Sequence, residues 1–435
     1  MKKLLLLTIL CLTIYPITAC SAKDTDVKIT AEAEAPKEYN DFLKSLKKDM
    51  IKRGISKKTI EKVYAKNYYH PDPVVVKLDR KQVEFVMSST DYLNRVVGDI
   101  RVKTAQKKYQ ELKPLFPKLE KEYGVQLEYL IAFWGIETNF GSTFGNFEVI
   151  DALTNLAYDK RRREFFTNEL YQALKIIDKY DIDFEKMEGS WAGAMGHFQF
   201  MPSTFNAYAI DYDKDGKIDI WHSFEDAIAS AANYLSEIGW KKDESWGTEV
   251  SLPWNFDYSA TGRTKTKTVK EWKALGVKTK SGKQLTFNDN TKASIIMPEG
   301  RNGYIYIVLP NFNRIMQWNR SENYALAVSQ LADYIKSSKK YKKFTRGDNE
   351  KLKTADVQKI QEFINKQGYA NLKEDGQLGS QTKEAVKTVQ RQVLLPADGY
   401  PDKRLLKKIN EYNPDIGFAI PTQPQKPQYK KPKPK

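Results

Sequence analysis

Apolar residues recur at helical spacing through most of the chain, and the pattern changes character twice. From Tyr39 to Tyr123 it is amphipathic, with Phe42, Leu43, Leu46, Met50 and Ile51 marking one helix that Gly54 closes. Ser56 is placed to cap a second helix carrying Ile60, Val63 and Tyr64 on one side. His70-Pro71-Asp72-Pro73 reads as a turn. The stretch Val125 to Gly141, VQLEYLIAFWGIETNFG, is denser: Leu130, Phe133, Trp134 and Glu137 share one helical face. Three of these four are large and apolar, so the face is expected to look into a core or the floor of a cleft. Between Thr248 and Phe312 the period shortens to alternation, as in EVSLP and GYIYIVLP, which predicts a small β-rich subdomain. Helical spacing returns from Tyr324 to Tyr334. Beyond a polar, basic linker, Val357, Ile360, Phe363 and Ile364 open another helix.

The first residues follow a different pattern. Lys2 and Lys3 precede an apolar run, Leu4 to Ile14, too short to span a bilayer and built like a signal peptide. It closes on Ile17-Thr18-Ala19-Cys20, which resembles the lipobox of bacterial lipoproteins, where cleavage precedes the cysteine and lipid is added to it. The chain has two cysteines, Cys11 and Cys20. Cys11 would leave with the leader, so the mature protein would hold one acylated cysteine and no disulfide. An ordinary signal peptide with a chance cysteine is the other reading. Ser21, in place of aspartate, resembles the pattern sent to the outer membrane. The expected place is the periplasm, tethered by lipid. Residues 20–37, small and charged (AEAEAP), would be the tether.

Composition adds that the chain is globular, at 41% hydrophobic and 12% aromatic residues. A formal charge of +16 fits an anionic polymer or a membrane surface. Nucleic acid is set aside, because the leader implies export. Part of the excess charge sits in the Lys/Pro-rich tail 413–435, expected to be disordered or extended.

Two stretches carry candidate chemistry. A carboxylate among tryptophan, phenylalanine and isoleucine loses hydration, which disfavours its charged form and suits Glu137 to general acid work. A glutamate at a helix end facing solvent is the competing reading. Gly189 to Phe205, GSWAGAMGHFQFMPSTF, has three glycines and two alanines within eight residues, which lets backbone approach a ligand. Gln199 can donate and accept hydrogen bonds, and Phe198, Phe200 and Phe205 would be apolar walls. Tight packing alone would also explain such a run. A third motif, Asp211 to Asp219, places acids at positions one, three, five and nine of a calcium-type loop, with Gly216 at six. Asp211, Asp213 and Asp215 would offer carboxylates and Lys217 its backbone carbonyl; His222 stands at position twelve, where glutamate is expected.

Taken together, GIETNFG, GSWAGAMGHFQFMPSTF, DYDKDGKIDIW and ASAANYL resemble the membrane-bound lytic transglycosylase B family, in the family's order, from about Tyr39 to Tyr334. These are peptidoglycan-cleaving enzymes with a lysozyme-like fold. The resemblance implies that Glu137 is the sole catalytic acid/base and that Ser190, Met195, Gln199 and Tyr234 line the cleft. Gln317 to Ser321, with Tyr324, resembles a cleft wall whose asparagine, Asn319, touches sugar. There the family commonly has tyrosine before the asparagine, and this chain has Trp318. For the acidic loop, the family's longer form points to Asp226 as the last carboxylate, with Glu225 a rival. It implies calcium, or sodium in its place, as a stabilising ion, and no organic cofactor.

Asp375, Gly376, Gly379, Thr382, Ala385 and Val386 resemble a peptidoglycan-binding domain of three short helices. The expected architecture is therefore mainly α, within the α+β class. A catalytic domain over 38–338 with its β-rich insertion would follow signal peptide 1–19, and linker 339–350 would lead to a binding domain over 351–412. The expected activity is non-hydrolytic cleavage between N-acetylmuramic acid and N-acetylglucosamine, leaving 1,6-anhydromuramic ends, with cell-wall synthases as possible partners. A hydrolytic muramidase and a non-catalytic wall tether are the rival functions.

Overall fold

The computed structural model describes residues 36–65, 71–80, 87–114, 116–180, 182–345, 352–414 and 417–418. The signal peptide, Cys20, most of the tether, His70 and nearly all of the tail lie outside these. No described helix is long and apolar enough to cross a membrane. The chain divides into two compact units, one of Met1–Glu84, Thr90–Trp246 and Pro310–Phe344, the other of Phe85–Ser89, Gly247–Leu309 and Thr345–Lys435.

The first unit is helical. Lys37–Lys52 and Lys57–Val63 form as the spacing predicts, and the Ser56 side chain accepts from Thr59 N–H at 3.1 Å to start the second. At the centre lies Leu127–Thr138, with all 12 residues buried. The sequence suggested one apolar face; instead the helix is enclosed all round, by Glu322–Ser337, Asp99–Leu112 and Phe224–Glu237 among others. Val149–Tyr158 packs on Arg163–Tyr180, which also supports Pro202–Tyr208. That last helix opens with proline, whose missing N–H costs nothing there. Its start is pinned by buried Glu169, which accepts from the Ser203 N–H at 2.9 Å and hydroxyl at 2.7 Å.

Two very short strands, β1 (Phe147–Glu148) and β2 (Glu188–Gly189), pair antiparallel with Phe147 opposite Gly189. This ladder joins the loop after the central helix to the start of the Gly/Ala-rich stretch.

The second unit holds an antiparallel sheet of order β4-β6-β7-β3-β5, from β3 (Gly247–Ser251), β4 (Thr266–Thr268), β5 (Lys278–Thr279), β6 (Lys292–Ile296) and β7 (Tyr306–Val308). Alternate residues Ala293 and Ile295, with Ile305 and Ile307, face a core closed by Trp272 and Val269 of helix Val269–Ala274. The three helices expected further on are Thr354–Lys366, Ser380–Gln392 and Lys403–Asn410, closed around Ile360, Ile364, Val386, Val389 and Leu405. They meet the loop ahead of β4 through Lys387, only 3% exposed, whose ammonium donates to the Thr261 carbonyl and, at 2.9 Å, to Glu384 on its own helix. A buried amine is tolerable only when bonded in this way. Arg301 N–H adds a bond to Asp398 at 3.1 Å.

Candidate active site and metal loop

The central helix ends in an abrupt corner that places Glu137. Asn139, Phe140 and Gly141 follow with φ of 49, 61 and 76°, three left-handed residues in a row of which two carry side chains. Such residues cost energy, so the neighbours must hold them. The Thr138 hydroxyl donates to the His197 carbonyl at 2.8 Å and accepts from Gly141 N–H at 3.1 Å, while Thr143 N–H reaches the Thr138 carbonyl at 3.1 Å. Both glycines of GIETNFG are steric necessities. A Cβ on Gly135 would lie 2.7 Å from the Phe140 ring, and one on Gly141 would lie 2.6 Å from His197 Cε1.

Glu137 is 3% exposed. Its Oε1 accepts from the Trp318 indole N–H at 2.9 Å and from the Tyr324 hydroxyl in a short hydrogen bond. Trp318 ends helix Pro310–Trp318, and Tyr324 lies in the first turn of Glu322–Ser337, which Ser321 caps through Tyr324 N–H. The half-buried indole is wedged among aromatic rings, 4.4 Å from Phe133, 5.1 Å from Tyr234 and 5.5 Å from Phe200. Tyr324, itself buried, addresses the carboxyl beside these rings.

The remaining expected residues form the adjoining loop and wall. The Ser190 hydroxyl oxygen accepts from Ala192 and Ala194 N–H, so it closes its own turn. Gln199 sits at a φ of 50° and donates to the carbonyls of Phe144 and Gly196 at 2.9 and 3.2 Å. Met195 is fully buried beneath the loop, bridged to Gly189 and Phe200. Asn319 is 1% exposed; its Oδ1 accepts from Ser321 N–H at 3.0 Å, while its Nδ2 is buried and meets no acceptor. A buried donor with no protein acceptor is costly.

Sequence reasoning gave Trp134 only a place on the apolar face and assigned nothing to His197. The Trp134 indole donates to His197 Nδ1 at 3.0 Å, tying the Glu137 helix to the glycine-rich loop. Burial pushes the His197 imidazole down to about 4, so the ring is neutral with its proton on Nε2. The two partners are 63 residues apart, and no local signal joins them.

Carboxylates that follow Glu137 in sequence are engaged elsewhere. Asp151 accepts from Asn155 at 3.1 Å, and Asp159 from Arg80 at 3.0 Å. Glu148 lies in β1 opposite Glu188.

In the acidic loop, Asp211, Asp213 and Asp226 bring one oxygen each within 4.8 Å of one another. Asp211 Oδ1 is buried without a hydrogen-bond partner, and Gly216, at φ 90°, makes the sharp turn whose N–H reaches Asp211 Oδ2 at 3.0 Å. An all-oxygen donor set with an orphaned carboxylate oxygen fits a hard cation. Asp226 also accepts from the N–H groups of Tyr212, Asp213 and Asp219, whereas Glu225 is exposed and outside the group. Asp215 instead bonds Lys217 N–H at 2.8 Å.

Comparison with known proteins agrees with this geometry. Residues 38–333 match the family model of the transglycosylase SLT domain, and 353–409 match that of a peptidoglycan binding domain. The membrane-bound lytic murein transglycosylase B of Escherichia coli K12 is 35% identical over 221 residues, 49% of this chain and 58% of that protein's length. The crystal structure of SltB3 from Pseudomonas aeruginosa with NAG-anhNAM-pentapeptide superposes with a TM-score of 0.80 at 36% identity, covering 86% of this chain and all of the other. Escherichia coli Slt35 in complex with calcium gives 0.58 at 26% identity, covering 69% of this chain and 93% of the other. With a lysozyme-like fold around Glu137 and a family match over most of its length, the chain belongs to the transglycosylase SLT family.

Proposed function

We propose that this protein is a lytic transglycosylase of peptidoglycan with Glu137 as its one acid/base. The observation that carries the reading is a carboxyl 3% exposed, held on one oxygen by two neutral donors beneath an aromatic wall. A glycosidase of the usual kind needs two carboxylates flanking the scissile bond. A transglycosylase needs one. Glu137 gives its proton to the oxygen leaving with C4 of N-acetylglucosamine, then as carboxylate takes the proton of the muramic C6 hydroxyl. That oxygen bonds to C1, the glycosidic bond breaks, and the 1,6-anhydro ring closes without water. Asn319 Nδ2 offers a donor to a sugar, and Trp318 and Tyr234 offer ring faces for stacking.

The peptide-bearing saccharide named in the SltB3 complex suggests the same substrate class here, and the three-helix domain would hold the enzyme on the wall. Lipidation at Cys20 and attachment to the outer membrane fit the leader. Calcium at Asp211, Asp213 and Asp226 would brace the loop, with no part in the reaction. E137Q tests the assignment: cleavage of purified peptidoglycan should vanish while binding to it persists. Full cleavage by E137Q would remove Glu137 from the reaction.

A further inference from the structure

We propose that Trp318 fixes which oxygen of Glu137 carries the catalytic proton, acting as a positioning residue through its indole N–H. The inference rests on Glu137 being the acid/base.

An indole N–H can only donate. It meets Oε1 of Glu137 at 2.9 Å, so that oxygen must present a lone pair whatever the state of the carboxyl. The carbonyl oxygen of a carboxylic acid accepts well and its hydroxyl oxygen poorly, so a fixed donor assigns Oε1 the carbonyl role and leaves the proton to Oε2. Tyr324 does not settle this alone. Its hydroxyl also meets Oε1, but a phenol can accept as well as donate, which would let the proton reside on Oε1. The same ambiguity would follow from a tyrosine at position 318. Trp318 removes it.

The indole is a fixed donor because its ring cannot swing away. Phe133, Phe200 and Tyr234 stand 4.4, 5.5 and 5.1 Å from it, and Phe198 6.4 Å. Flipping the carboxyl would set an acid O–H against the indole N–H, two donors face to face. The carboxyl therefore keeps one orientation through the cycle. Oε2 gives the proton to the leaving oxygen and, as the carboxylate end, receives the one from the C6 hydroxyl. Oε1 stays hydrogen-bonded throughout, so no carboxyl rotation separates the two transfers.

The test replaces the N–H and little else. W318F removes the donor and shrinks the ring; β-(3-benzothienyl)alanine at 318 keeps the shape and packing and exchanges N–H for sulfur. Both should lower kcat on a soluble glycan by about 10- to 100-fold, the worth of one hydrogen bond to an ionisable group. In the benzothienyl protein, which keeps the ring faces, KM and binding of an anhydro-disaccharide product should stay within about twofold; W318F, with its smaller ring, loses some of both. Unchanged kcat in the benzothienyl protein overturns the proposal and reduces Trp318 to ring packing. An equal loss of kcat and product binding also overturns it, since Trp318 would then be a sugar platform alone. E137Q measured alongside separates the two claims: an inactive E137Q with a fully active benzothienyl protein sinks only the role of Trp318, whereas an active E137Q sinks the assignment of the acid.

Discussion

The indole N–H of Trp134 donates to Nδ1 of His197 at 3.0 Å, and the next turn of the same helix carries Glu137. The histidine must be neutral to accept that bond. Its pKa is lowered to about 4 by burial, against 6.5 in an unfolded chain. Between those values the unfolded state binds more protons, so this group makes stability fall as pH drops from about 6.5 towards 4. Asp151, raised to about 6 by burial, acts oppositely, its contribution fading as pH rises through that value. A difference measurement separates them. H197Q keeps an acceptor for Trp134 and cannot titrate, so wild type minus H197Q stability should change by up to about 3 kcal/mol between pH 6.5 and 4. Urea melts across that range would show it; a flat difference would mean the ring is not buried neutral.

Asn319 offers a cleaner test of the cleft wall. N319D keeps the oxygen that accepts from Ser321 N–H and loses the buried Nδ2 donor. The fold should survive at a lower melting temperature, because a carboxylate 1% exposed loses hydration. Saccharide turnover should fall at least about tenfold in kcat/KM, the cost of leaving a substrate acceptor unpaired beside a new acceptor. Wild-type kcat/KM would place Asn319 outside the substrate contacts.

Gly141 is predicted to be irreplaceable by alanine. At φ 76°, with His197 Cε1 2.6 Å from the added Cβ, G141A must strain the backbone and push the histidine. A loss of about 1–3 kcal/mol in stability is expected, with a fall in kcat because the corner carries Glu137. Calorimetry and turnover together test this; G282A, at a glycine with open space around it, controls for left-handed backbone strain alone.

For the acidic loop, calcium at about 100 times its Kd should stabilise the protein by about 2.7 kcal/mol. D211N, which removes charge from the orphaned carboxylate, should flatten the response. Turnover well below the melting temperature should be alike with calcium or a chelator. A melting temperature indifferent to calcium would leave an acidic turn without a metal.

What the sequence showed and what it hid divide by distance along the chain. The three C-terminal helices and the Ser56 cap were legible because spacing and capping are local. The acidic loop was legible in part: local spacing marked Asp211 and Asp213 and the family's longer loop marked Asp226, whereas Asp215 and Lys217, also expected to serve the ion, lie outside the cluster. The central helix shows the limit: apolar spacing suggests one buried face, but helices close on every side of Leu127–Thr138. Ser190 and Gln199 could be marked from their motif. That they bond to their own loop and to the Phe144 carbonyl could not, because backbone partners leave no trace in residue identity. The convergence of Trp318 and Tyr324 on one oxygen of Glu137, across about 180 residues, is likewise visible only in three dimensions.

The most direct test of the central claim is mass spectrometry of products from purified peptidoglycan incubated with the unlipidated protein. The account predicts muropeptides one water lighter than hydrolysis products, with 1,6-anhydromuramic ends and no reducing terminus. Products with free reducing muramic ends would contradict it, and would require a second group near Glu137 to activate water.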